Sequence, residues 1–167
     1  LLTNINALRI AFDGARLADD LGFRSAPLSV LGMYRDLVMP HHKRLCDRFA
    51  QDGLKTILHS DGDVRPLILH FLDAGFSALH PLEAKAGLDV RDLKPRYGDR
   101  LVLFGNIDAR ALAGSREDIE NEIRTKVGYG KENGGYIFHT DHSVPNDVSF
   151  ENYRFALEML GRHGAYA

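Results

Sequence analysis

Five clusters of polar and ionisable residues punctuate the chain: Asp19-Asp20, His59-Ser60-Asp61, His80-Pro81-Leu82-Glu83, Asn106-Ile107-Asp108 and His139-Thr140-Asp141-His142. His59 and Asp61 are two residues apart, so at a strand end both side chains can turn toward one point. With His142 they supply three ligands of the kind that hold zinc or another divalent ion, leaving one position open for substrate. The competing reading is a hydrogen-bonded strand-end histidine, with Asp61 capping a helix near Val64. Glu83 has the chemistry of a general base, or of a carboxylate that orients a ligand histidine, against a plain ion pair with Lys85. Asn106 and Asp108 follow Gly105, which permits a close backbone approach, and Asp108 has Arg110 as its simpler partner. Together with Asp20 and Glu83 they form the candidate catalytic set. His80 and Asp141 are the candidate cofactor-binding residues. His80 also has a structural use, because a position before proline favours extended backbone.

Each cluster closes a short apolar run. The runs Leu54–Leu58, Phe76–Leu79, Arg100–Phe104 and Gly135–Phe138 read as buried strands, and Ala15–Ala18 is a weaker fifth. Helical patterns lie between them. Pro40 opens one that shows Leu45, Phe49 and Ala50 on a single face and ends at Gly53. Val64–Ala74 carries Leu67, Ile68, Phe71 and Leu72. Ser115 and Asp118 form a capping-box start for Arg116–Val127, and Ser149 caps a last helix presenting Tyr153, Ala156, Leu157 and Leu160. Residues 1–12 have the look of a helix entered partway.

Strand-then-helix repetition means βαβ units and a parallel sheet, whose strand C-terminal ends converge on one ligand-binding rim. The expected architecture is α/β, in one domain over residues 1–167. About five parallel strands with intervening helices make it the C-terminal part of a TIM (β/α)8 barrel that lacks its N-terminal half; a small open sheet is the alternative.

Composition narrows the function classes. Lys+Arg 21 against Asp+Glu 23 leaves a net charge of -2 and no polybasic field for nucleic acid or anionic membrane. Hydrophobic residues at 44% and charged residues at 26% are globular values that argue against wholesale disorder. No apolar run approaches the ~20 residues needed to span a bilayer, and a cytoplasmic location is the expectation. The single Cys46 reads as a small buried apolar residue. Gly128-Tyr129-Gly130 reads as part of a helix-ending loop, and His41 and His42 as solvated residues of a first helical turn. His70 and His163 read as surface residues.

Ordered motifs then carry a resemblance. Asp-Asp-Leu-Gly (19–22), Met-Tyr-Arg-Asp-Leu-Val-Met-Pro-His-His-Lys-Arg-Leu (33–45) and His-Ser-Asp-Gly-Asp-Val (59–64) come first. His-Pro-Leu-Glu-Ala-Lys-Ala-Gly-Leu-Asp-Val (80–90), Tyr-Gly-Asp-Arg-Leu (97–101) and Gly-Asn-Ile-Asp (105–108) follow. Gly-Gly-Tyr-Ile-Phe-His-Thr-Asp-His-Ser-Val-Pro (134–145) and Phe-Glu-Asn-Tyr (150–153) complete the set. The chain resembles the uroporphyrinogen decarboxylase superfamily, which includes cobalamin-linked methyltransferases. That resemblance implies a barrel of roughly twice this length. In the methyltransferase branch it implies zinc held by His-x-Cys and a later Cys, with a corrinoid methyl donor. His59 matches the family His, Asp61 stands at the first Cys, and His142 falls near the second. In the decarboxylase branch it implies no metal, and a late His that aligns with His142. The expected activity is a metal-assisted methyltransferase or demethylase on a small-molecule or corrinoid-protein substrate. The alternatives are porphyrinogen decarboxylation, or a non-catalytic half-barrel that pairs through its exposed sheet edges as a homo-oligomer.

Overall fold

The computed structural model describes residues 12–22 and 31–166. Five strands form one parallel sheet in sequence order: β1 (Gly14–Ala18), β2 (Lys55–His59), β3 (Ala78–His80), β4 (Val102–Phe104) and β5 (Tyr136–Ile137). The weak fifth candidate is a true strand, and the expected runs shift by one or two residues at their ends. Each strand pairs with the next, the order a barrel requires, and the outer face packs against helices. This is the architecture of part of a (β/α)8 barrel. The expected helix over residues 1–12 lies, apart from Phe12, outside the described residues.

Strand alternation divides the work between the two faces. Leu17, Leu58, Leu79, Leu103 and Tyr136 point outward into a core shared with Val64, Leu67, Ile68, Phe71, Leu88 and Leu93 from the helical layer. The opposite, concave face carries Arg16, Ile57, His59, Ala78, His80, Val102 and Phe104, aligned by the register Arg16↔Ile57↔Ala78↔Val102 and His59↔His80. A second core packs Ile107, Leu112, Ile119, Ile123, Val127 and Met159.

The helix after β1 begins earlier than Pro40. It runs as α1 (Leu31–Met33), widens into a π-helical turn over Tyr34–Val38, and continues as α2 (Met39–Gln51). Proline explains the widening. Pro40 has no N–H for the carbonyl of Asp36, and Met39 N instead bonds to Tyr34 O, five residues back. On α2, Cys46 and Phe49 are buried as expected, whereas Ala50 is exposed. His42 is a correction. It is 6% exposed rather than solvated, because it shares the inward face of α2 with Cys46 and Phe49, four and seven residues further on.

The chain then forms a 3-10 turn (Arg65–Leu67), α3 (Ile68–Ala74), α4 (Val90–Tyr97) and α5 (Ala109–Leu112). Next come α6 (Arg116–Gly130) and α7 (Phe150–His163). The Ser115–Asp118 capping box and the Ser149 cap both form. Gly128 and Gly130 belong to the last turn of α6 rather than to a loop after it. In α7, Ala156 and Met159 are buried while Leu157 faces solvent, so the apolar stripe lies one position away from the expected one. His70 and His163 are half-buried rather than on the surface. No helix among the described residues is long and apolar enough to cross a membrane.

Candidate functional site

The C-terminal ends of β1 and β2 are stitched together by hydrogen bonds that backbone N–H groups donate. Asp19 N donates to His59 O at 3.0 Å, Leu21 N to Ser60 Oγ at 2.9 Å, and Asp61 N to Asp20 Oδ1 at 3.2 Å. Gly22 makes the approach possible: a Cβ there would lie 2.5 Å from Asp61 O. These ties bring Asp20, His59 and Asp61 together, with one potential ligand atom from each within 4.8 Å of the others. His142 stands beside the cluster, its Nε2 3.9 Å from Asp61 Oδ2. The geometry therefore groups His59 and Asp61 as expected, adds Asp20 from the catalytic set, and leaves His142 beside the group, next to Asp61.

Hydrogen bonding prepares the cluster. His59 Nδ1 and His80 Nδ1 are 2.7 Å apart, so one is protonated and the other accepts. With that nitrogen engaged, Nε2 is the atom of His59 left to hold a metal, and it faces Asp20 Oδ1 at 3.8 Å. His80 is buried, and its pKa is lowered to about 4, first by desolvation and then by the nearby His139, Arg16 and His59. It is therefore neutral at ordinary pH and suited to hold the ring of its neighbour. Asp61 Oδ1 is shielded from solvent and has no hydrogen-bond partner among the described residues. A buried carboxylate oxygen without a donor is costly, and a cation is one ligand that would satisfy it, as would a water or a substrate donor. A four-coordinate zinc sets its ligand atoms about 3.5 Å apart, so the three side chains fit after drawing inward by roughly 1 Å.

The cluster opens into a cavity of about 340 Å³ lined by Arg16, His59, Asp61, His80, His139 and His142, with Pro81 and Ser143. His139 extends the aromatic ladder of the concave face, its ring centroid 4.8 Å from that of His80 and 5.4 Å from that of Phe104. Its Nδ1 donates to Thr140 O at 2.6 Å. A larger hollow of about 760 Å³ lies at the opposite ends of the strands, among Lys55, Ile57, Ala78, Val102 and Ile137. It has no histidine or cysteine, and parallel α/β sites form at strand C-terminal ends. The smaller cavity is the candidate site.

The other expected site residues hold the rim in shape. Glu83 accepts from Gly62 N at 2.6 Å and pairs with Lys85 at 2.9 Å, so both oxygens are engaged and it lies off the cavity. Asn106 is fully buried at a positive φ of 77°. Its amide accepts from Val90 N and donates to Leu82 O and Leu88 O, each at 2.8 Å. Asp108 caps α5 and pairs with Arg110. Asp141 accepts from Ala84 N and Ala109 N, one oxygen each, tying the loop after β5 to those after β3 and β4. Sequence reasoning missed Arg16 and His139 as cavity residues. For His139 the available signal was its place at the head of the last polar cluster, and for Arg16 its inward parity on β1.

The model of the family "Uroporphyrinogen decarboxylase (URO-D)" matches residues 27–163. Uroporphyrinogen decarboxylase of Pelodictyon phaeoclathratiforme is 29% identical over 136 residues, covering 79% of this chain and 38% of the relative. The Photobacterium profundum enzyme of the same name is 36% identical over 110 residues, covering 60% of this chain and 30% of the relative. A solved methyltransferase from Methanosarcina mazei superposes with a TM-score of 0.69 at 21% identity, covering 91% of this chain and 43% of that one. The chain thus spans well under half the length of the relatives it matches, and the solved structure bears on the fold alone.

Proposed function

The chain belongs to the uroporphyrinogen decarboxylase family, and on that premise we propose that it supplies the metal-binding rim of a group-transfer enzyme. The reaction is of the methyl-transfer or demethylation type, on a small-molecule or corrinoid-borne substrate. The observation that carries this reading is the Asp20–His59–Asp61 cluster with its orphaned Asp61 Oδ1. A divalent ion such as zinc held there supplies Lewis-acid polarisation of a substrate heteroatom. One imidazole and two carboxylates form a harder donor set than thiolates, which suits an oxygen- or nitrogen-bearing group. His80 orients His59, and Glu83 fixes the backbone at Gly62 beside Asp61. Arg16, His139 and His142 face the cavity, where they bind and orient the substrate.

A second reading, metal-free porphyrinogen decarboxylation, is favoured by the names of the curated relatives. In that case Arg16 and the cavity histidines meet substrate carboxylates, and a proton replaces carbon dioxide at the reacting carbon. Calorimetric titration of the chelator-treated chain with zinc separates the two. The metal reading expects one ion per chain, lost in His59→Ala and Asp61→Ala and weakened in Asp20→Ala. A folded chain that takes up no zinc, or takes it up equally well in all three variants, overturns that reading.

A further inference from the structure

Behind the rim lies a buried polar chain that none of the chemistry above uses. Tyr34 is fully buried, and its hydroxyl is 3.0 Å from His42 Nδ1. His42, itself 6% exposed, places Nε2 3.1 Å from Asp19 Oδ2. The rings of Tyr34 and His42 pack at 5.8 Å, and Phe76 closes the other side of His42 edge-on at 5.2 Å. Burial raises the pKa of Tyr34 and lowers that of His42, so both are neutral, and the array is a hydrogen-bonded strut rather than a charge pair.

We propose that Tyr34 and His42 are positioning residues which, by clamping Asp19 to the helix layer, hold its neighbour Asp20 in the metal cluster. Adjacent residues at a strand end point to opposite faces. Asp19 turns outward to His42, and Asp20 turns inward to Asp61 N and His59. Fixing one side chain therefore fixes the other. Asp20 itself is exposed, and its hydrogen bond to Asp61 N, at 3.2 Å, is long, so the rotation of this strand end needs a second anchor. The π turn adds one residue between Tyr34 and His42, so that Tyr34, eight positions back, falls on the same face as His42.

This inference rests on the metal reading, and the test keeps the two apart. Zinc affinity is measured by chelator competition for the wild-type chain, His42→Phe, His42→Gln, Asp20→Asn and the double variant His42→Phe/Asp20→Asn. Circular dichroism reports the fold of each. Residues that orient ligands typically change metal affinity 10- to 100-fold, and a loss of at least 10-fold is expected in His42→Phe. His42→Gln, whose amide can still donate to Asp19, recovers most of it. In the Asp20→Asn background, His42→Phe adds no further loss, because the route through Asp20 is already gone. A folded His42→Phe chain with wild-type affinity overturns the proposal, as does an additive double variant. Should His42→Phe not fold, Asp19→Ala on the exposed side of the clamp takes its place in the same comparison. A wild-type chain that binds no zinc overturns the metal reading and this proposal together.

Discussion

Asn106→Ala tests whether the rim is built on buried amide bonding rather than on a catalytic asparagine. The substitution removes one acceptor and two donors from a site with no solvent exposure, and strands Val90 N, Leu82 O and Leu88 O. Each buried group left without a partner costs about 1–3 kcal/mol, and the sum is about 3–6 kcal/mol after partial relaxation. Alanine at a φ of 77° adds roughly 1 kcal/mol, since asparagine tolerates the left-handed region better. That total approaches the ~5–15 kcal/mol by which a domain is stable. Urea unfolding should therefore show a large fall in midpoint with little change in slope. Asn106→Asp keeps the acceptor for Val90 N but turns an oxygen toward two carbonyls. A protonated carboxyl can still donate to one of them, so its folded pKa lies above the unfolded value. Stability of that variant then falls as pH rises past ~4. An Asn106→Ala chain within about 1 kcal/mol of wild type, folded but inactive, would refute the structural assignment and return Asn106 to the catalytic set.

Three further outcomes follow from the same geometry. Gly22→Ala drives a Cβ to 2.5 Å from Asp61 O and 2.8 Å from Gly62 C. It should cost about 1–3 kcal/mol in thermal unfolding and weaken zinc uptake in titration, since it pries the Asp20 and Asp61 loops apart. Lys126→Met leaves Glu122 without the buried ammonium 2.7 Å away and Asn106 O without its donor. A loss of about 3 kcal/mol in urea unfolding is expected, partly recovered by adding Glu122→Gln. His80, held near a pKa of about 4 in the fold against 6.5 unfolded, takes up its proton more readily in the unfolded chain. Its contribution to stability is complete above pH ~6.5 and is lost between there and pH ~4, amounting to no more than about 3 kcal/mol. A His80→Asn chain should lack that slope in chemical denaturation.

The strand ends were legible because each apolar run stops at residues that are expensive to bury, and the parallel order follows from alternation with helices. Which strand-end residues meet was not legible. Asp20 joins His59 and Asp61 because β1 and β2 are neighbours stitched through Gly22, while His142 arrives from the far side of the cavity on the loop after β5. Sequence spacing carries no such distance. His42 was misread as solvated because its place in a first helical turn was weighed above its spacing, four and seven residues before the buried Cys46 and Phe49. Leu157 and Ala50 were misplaced because a 3.6-residue period sets the width of an apolar stripe more firmly than its edges. Helix α4 went unread: Pro95 and a largely polar surface hide a segment whose burial rests on Val90 and Leu93 alone.

The most direct test of the metal centre is X-ray absorption at the zinc edge of the loaded chain. The Asp20–His59–Asp61 site predicts a first shell of nitrogen and oxygen with a single imidazole, and loss of the bound zinc in Asp61→Ala. A sulfur-containing shell, or a shell of several imidazoles that survives Asp61→Ala unchanged, would contradict it.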